Sequence, residues 1–457
     1  MAQWLVLIGL LTKNYDLSLP MVLTSIPIYF YLIILCWQFF SKPDQIQTIT
    51  FDTKVLFWIF IILIDQLVMV GFSYVHTDRP NLTRGILTGS LNIILFIGTI
   101  FLVYYLMNLM INNQLMALKF VQGTIKTFLG FFALVLLPQV IATVSPILNS
   151  WVNLVGRLFE ARYVGRDDFY WAGSYVTTQH RINGFSSEAS YLAVMLAVIF
   201  IPLFLTAIRY KFSFFKNKVN PKSTKYYWLL LMATFFVLFF AKTTTGFVVI
   251  LLSSLILLIR LDNKRRNRLL VVILLLICLI VLLYINVPYI RTLLNQYLLK
   301  KKGTSNRLGG TIGLLMTFLH FPISGVGDGF TGFYNLKYVP TNTIHNWEFR
   351  NVYIQSGYPV LSVWGGWLAS FGLIGVTPVV IFIVNKCKKA RLIYQKLSLI
   401  NSKNSMFYRT LIESFFYFLF MVVVLSLFMF SWTNIIYLVM LFFYIRIIKL
   451  SSEELVY

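Results

Sequence analysis

Eleven apolar stretches of roughly 15 to 27 residues recur along this chain, and they decide most of what it can fold into. They cover residues 22–40, 55–75, 86–110, 124–148, 188–208, 226–241, 245–259, 269–287, 358–384, 410–428 and 431–448. An α-helix rises about 1.5 Å per residue, so about 20 such residues cross the ~30 Å hydrocarbon core of a bilayer. Lipid offers no partner for backbone N–H and C=O groups, and the alternation of a membrane β-barrel is absent, so each stretch is expected to be helical. With 58% hydrophobic and only 12% charged residues among 457, the class is a membrane protein rather than a soluble one. Residues 1–11 are also apolar but reach only about 17 Å as a helix, enough for a half-helix or a short first span. The expectation is an all-α polytopic membrane protein of eleven or twelve transmembrane helices, one integral membrane domain over 1–457. The first apolar run has no basic residue ahead of it and is expected to be retained rather than cleaved. Cys36 and Cys278 sit in apolar runs and Cys387 among lysines, a placement that suggests neither disulfides nor a metal site.

A formal charge of +24, from 39 Lys+Arg against 15 Asp+Glu, would hint at nucleic acid in a soluble protein. Its distribution argues for topology instead. Of alternate connections, the set 41–54, 111–126, 209–225, 260–268, 385–409 and the C-terminal tail holds 24 of the 39 basic residues. The positive-inside rule makes this set cytoplasmic, with no nucleic-acid partner implied. Two long polar intervals, 149–187 and 288–357, then face outward as the largest loops.

Nine of the 15 remaining basic residues are arginines (79, 84, 157, 162, 166, 181, 291, 307 and 350), against eight of the 24 in the basic set. Lysine suffices for topology, whereas the planar guanidinium fork grips phosphate bidentately. An outward cationic site for an anionic ligand such as a lipid diphosphate is therefore expected, with Arg157, Arg181, Arg291, Arg307 and Arg350 as candidates. The competing uses are unspecific head-group contact and pairing with Glu160, Asp167 and Asp168. Trp151, Trp171, Tyr175, Trp347 and Trp364 suit either interfacial anchoring or sugar stacking.

Among groups able to move a proton, Glu188 stands at the start of an apolar helix, seven residues after Arg181. Ser186 or Ser187 can cap that helix, and Glu188 in its first turn suits the positive helix end. The same carboxylate can accept a proton or orient a sugar hydroxyl. His345 lies in a polar setting beside Asn346, and the alternative for it is a hydrogen-bonded loop histidine. Asp65, deep within a span, is expected to face the bundle interior.

These residues carry a resemblance. Arg181-Ile-Asn-Gly followed by Glu188-Ala189-Ser190 resembles the Arg-x-x-Gly and Glu-Pro-Ser elements of bacterial O-antigen and exopolysaccharide repeat-unit polymerases of the Wzy type, whose superfamily includes the O-antigen ligases. The turn Lys242-Thr-Thr-Thr-Gly246 is similar to a Thr/Ser-rich turn of that family, with Lys242 in place of a common arginine. Arg307-Leu-Gly-Gly, then Pro322-Ile-Ser-Gly325-Val-Gly327-Asp-Gly329 and His345-Asn346, resembles the family's longest element. The motifs occupy about a tenth of the chain. The resemblance implies a GT-C-like, metal-independent membrane glycosyltransferase without a cofactor, in the cytoplasmic (inner) membrane of a bacterium. It would move a growing glycan from undecaprenyl diphosphate to the next lipid-linked repeat unit. Arg181, Arg307, Glu188 and His345 would be the catalytic set. Arg157, Arg291, Arg350, Asn346, Lys242, Gly325 and Gly327 would bind substrate. The partners implied are undecaprenyl-diphosphate-linked oligosaccharide, membrane lipid, a flippase and a chain-length regulator. The same residues would serve a ligase passing finished polymer to another acceptor; a lipid-linked oligosaccharide flippase is the reading from a different class.

Overall fold

The computed structural model describes the chain except residues 12–24, 42–48, 50, 78–85, 164–165, 289–290, 293–294, 296–303, 346, 348, 401, 429–430, 432–433 and 456–457. It is a helical bundle. Among the described residues the only strands form a two-residue hairpin, Phe212–Ser213 against Lys218–Val219. Eight helices there are long and apolar enough to cross a membrane, and the apolar helices Ile26–Ser41 and Thr244–Arg260 are shorter. The protein is thus an all-α, multi-pass membrane protein. Ten of the expected stretches overlap those helices, and the stretch 269–287 overlaps the helix Asn263–Asn286.

Three features refine this picture. The N-terminal helix Leu5–Leu10 is buried, with Leu5 and Leu10 wholly enclosed, and the Tyr31 hydroxyl donates to Leu5 O at 2.6 Å. The helix Gln114–Phe131 begins ten residues before the stretch at 124, its first two turns carrying Lys119, whose long basic side chain can reach out of the apolar zone. The interval 288–357 contains the helix Thr304–His320, followed by Thr331–Tyr338 and Thr341–Ile344, so much of it is ordered helix rather than loop.

The central span, Ala189–Ile199 continued by Ile201–Tyr210, is sheathed by its neighbours, with 94% of its apolar window buried. Small residues at Ala189, Ala193 and Ala197 let neighbouring backbones approach, which is how helices bind one another in lipid. The span from Gln114 carries a π turn at Phe132–Leu136 just ahead of Pro138. Proline has no N–H to give to the carbonyl four residues back. That carbonyl, Leu134 O, instead accepts from the Trp151 indole at 2.9 Å, tying the polar interval 149–187 to the bundle.

The helix Val363–Leu399 is broken at Gly372, whose backbone (φ 55°, ψ −161°) is not helical. A strap from the Pro322–Gly329 motif fills the break: Leu373 N–H donates to Pro322 O at 2.9 Å, Ile374 N–H to Ile323 O at 3.0 Å, Val326 N–H to Ala369 O at 2.8 Å and Gly327 N–H to Ser370 O at 3.0 Å. Gln66, fully buried, donates to Ser324 O and Ser370 O and accepts from Asp328 N–H. Backbone irregularity at membrane depth survives only when protein satisfies it in this way.

The alternate connections read as basic converge on one end. Arg265 donates to Ile208 O at 3.0 Å, Arg446 to Ile111 O at 2.7 Å and Asn404 to Glu454 at 2.8 Å. Asp52, Lys386 and Lys449 share one electrostatic neighbourhood. Glu413, buried, pairs with Arg209 and accepts from the Tyr210 and Tyr417 hydroxyls.

Candidate functional site

At the other end, the segment from Arg181 to Glu188 leads into the central span. Its backbone is held from three directions. Gln139, in the span beneath, makes a two-point ring with Gly184: Gln139 Nε2 donates to Gly184 O at 2.9 Å and Gly184 N–H to Gln139 Oε1 at 2.8 Å. Gly184 has φ +61°, and a Cβ there would press on Phe131 and Leu192 at 2.9 and 3.0 Å. Asn183 donates to Glu160 Oε1 and to Ser186 O, both at 2.6 Å. The Tyr170 hydroxyl donates to Ser187 O at 2.9 Å.

Glu188 occupies the N-cap position of the helix Ala189–Ile199, yet its side chain makes no capping bond. The carboxylate instead accepts from the Ser190 hydroxyl. Neither Ser186 nor Ser187 caps this helix; Glu188 itself stands at the N-cap, where its charge still suits the positive helix end. Tyr191, on the first turn, stands within electrostatic reach of both Glu188 and Arg307 and is hydrogen-bonded to Tyr163. Burial, with Tyr191 and Glu188 nearby, drives the Tyr163 phenol well above its ordinary range. Tyr163 is therefore a neutral hydrogen-bond partner at this site rather than a base.

Arg181 and Lys242 are clasped reciprocally. Arg181 Nε donates to Ala241 O at 3.3 Å, and Lys242 Nζ to His180 O at 3.0 Å. Both His180 and Lys242 take left-handed backbone, φ +51° and +49°, which non-glycine residues adopt at a cost of about 1–2 kcal/mol. Thr243 caps the helix Thr244–Arg260 through Gly246 N–H at 3.2 Å, which fixes the turn. Burial and the Arg181 guanidinium hold the Lys242 ammonium below the usual lysine range. Two cations kept this close raise the local affinity for an anion. Ala241 packs with Ala189, Tyr170 and Tyr175 in one apolar cluster, so the clasp lies beside Glu188.

Arg307 comes from the helix Thr304–His320. Thr343 packs on Gly309 of that helix, and the Tyr358 hydroxyl donates to Asn306 O at 2.7 Å. Those contacts set the segment carrying His345 beside the turn that carries Arg307. His345 is exposed and its Nδ1 lies 3.2 Å from Arg350, which also donates to Ile344 O at 3.3 Å.

The remaining candidates are placed differently. Arg291 donates to Tyr284 O at 3.0 Å and to Ile285 O, final carbonyls of the helix Asn263–Asn286; its fork serves a helix end. Arg157 is exposed on the helix Asn149–Phe159. Gly325 and Gly327, at φ +68° and +83°, belong to the strap across the Gly372 break, and Cβ atoms there would meet Ser370 and Val70 backbone at 2.5 and 2.9 Å. Asn346 lies outside the described residues, as do Arg79 and Arg84. Two arginines are ion-paired: Arg166 with Asp168 at 3.0 Å and Arg162 with Glu160 at 3.7 Å. Trp171 and Trp347 are the most exposed of the tryptophans weighed, at 79% and 69%.

Sequence reasoning missed Gln139, Tyr163 and Tyr191. Gln139 had a signal, a polar side chain in an apolar run directly after proline. The tyrosines had none, since their importance comes from which helices meet. Among the described residues no three His, Cys, Asp or Glu side chains group as metal ligands would. Comparison with family models found no match, and comparison with curated proteins found none either.

Proposed function

We propose that this protein is a membrane-embedded glycosyltransferase that takes a glycan from a polyprenyl diphosphate carrier and joins it to the next lipid-linked repeat unit. The observation carrying this reading is the convergence of Arg181, Lys242, Glu188 and Arg307 from three separate parts of the chain on one end of the bundle. Arg181, Lys242 and Arg307 supply positive charge where negative charge grows on a departing diphosphate. Glu188, oriented by Ser190 and making no side-chain cap bond, is the candidate base for the acceptor hydroxyl, with His345 beside the Arg307 turn as the second candidate. The carrier is already an activated leaving group, so the chemistry asks for charge and orientation, both of which this cluster offers. Undecaprenyl diphosphate in a bacterial cytoplasmic membrane is the carrier the motif resemblance favours, and the outward face is the side that the basic end of the bundle favours.

Arg307→Ala and His345→Ala, each shown to insert normally by fluorescence-detected size-exclusion chromatography, are expected to leave glycans of a single repeat. Wild-type polymer length in both variants overturns the assignment. Full-length chains accumulating on the carrier would make the protein a ligase instead.

A further inference from the structure

We infer that Glu160 is a positioning residue that sets the geometry of the Arg181–Glu188 segment, an inference resting on the glycan-transfer reading above. Glu160 is 2% exposed, an uncommon place for a carboxylate in the polar interval of a membrane protein. Its Oε1 accepts twice, from Tyr175 N–H at 3.0 Å and from Asn183 Nδ2 at 2.6 Å. Asn183 passes that constraint on. Its side-chain amide also donates to Ser186 O at 2.6 Å, and its backbone carbonyl accepts from Ser186 N–H at 3.0 Å. Next to Glu160, Ala161 N–H donates to Phe185 O at 2.8 Å. One oxygen therefore fixes the rotamer of Asn183, and Asn183 fixes the turn 183–186 that separates the clasped Arg181 from the carboxylate of Glu188.

The second oxygen has a different status. Among the described residues Oε2 accepts no hydrogen bond, and its nearest cation, Arg162, is 3.7 Å away and turned to Gly173 O at 2.9 Å. Burying a carboxylate costs free energy that a neutral side chain would not. The gain is two strong hydrogen bonds at one oxygen, both directed at segments that lead to the site. Because the structural task falls on Oε1, an amide in the same place retains it, whereas alanine abolishes it.

The test compares Glu160→Gln and Glu160→Ala in full-length protein reconstituted in nanodiscs. Hydrogen–deuterium exchange of residues 181–190 reads the segment without any ligand. Binding of undecaprenyl diphosphate and polymer length in cells read the site. Protection of this segment is expected to be lost in Glu160→Ala and kept in Glu160→Gln. Transfer is expected to fall about 100-fold in the first, the cost of a misplacement of about 1 Å, and to stay within about threefold in the second. Unchanged protection in Glu160→Ala, equal losses in both variants, or lost protection with full transfer would each overturn the inference. If exchange responds as expected but the wild type neither binds the diphosphate nor makes polymer, Glu160 still holds the segment and it is the glycan-transfer reading that fails.

Discussion

Gln139→Leu tests the fixation of the site from below. The substitution keeps approximate volume and removes both halves of the ring with Gly184, bonds of 2.9 and 2.8 Å. Gly184 N–H and C=O then lose the partner that binds them both, beside a glycine crowded by the apolar side chains of Phe131, Leu136 and Leu192. An unsatisfied buried polar group costs about 1–3 kcal/mol, so the pair is worth roughly 2–6 kcal/mol. Thr143→Val is the control. Its hydroxyl donates to Val140 O, three residues back in the helix that Thr143 ends, at 2.7 Å, and its loss is expected to cost at most about 1 kcal/mol. Thermal unfolding in detergent, followed by tryptophan fluorescence, should show Gln139→Leu melting several degrees below both wild type and the control. A melting temperature indistinguishable from the control would mean that water or a shifted backbone satisfies Gly184, and the argument for a rigid Arg181–Glu188 segment would collapse with it.

The other predictions concern separate features. Gly372→Ala would drive a Cβ against the Ile323 carbonyl at a left-handed position, so its monodisperse peak in size-exclusion chromatography should be lost, whereas Gly98→Ala, with nothing within 4 Å, should elute as wild type. Burial holds the Glu160 carboxyl above its ordinary value, so its favourable contribution is complete below that value and is lost as pH rises through the raised one. The melting temperature of Glu160→Gln relative to wild type should therefore climb as pH rises above the ordinary carboxyl range, and a difference that falls instead would contradict the burial of this group. Arg209→Met strands the buried Glu413 carboxylate and should cost about 3–5 kcal/mol, with Arg209→Met/Glu413→Gln recovering part of it. A double variant no more stable than the single one would show that the pair is not coupled.

Length and apolarity made the spans readable, because a helix in lipid needs no periodic pattern to declare itself. The stretch 86–110 coincides with the helix Ile86–Met110. Errors came where polar side chains sit inside helices. Lys119 disguised the start of the helix from Gln114, and Lys386 to Lys396 the long extension of the helix Val363–Leu399. Gly309, Gly310 and Gly313 lowered the apolarity of Thr304–His320 because that helix meets Thr343, Tyr358 and Asn335 at close quarters. Arginine counting was a coarser guide than it looked. It singled out Arg181 and Arg307, but it weighed Arg291 equally, and nothing local to Arg291 reveals that its guanidinium closes a helix end. The proximity of Tyr191 to both Glu188 and Arg307 joins positions over a hundred residues apart, and no pattern within one segment can announce that.

The enclosure of the central span has a practical corollary. A photoactivatable side chain at Leu196 or Ala193 would cross-link to other parts of the polypeptide and hardly to acyl chains, because no flank of that rod is open to the bilayer. The isoprenoid tail of the proposed carrier would accordingly run along some other helix, and labels on the exposed faces of Thr53–His76 and Asn263–Asn286 are the ones positioned to trace its course.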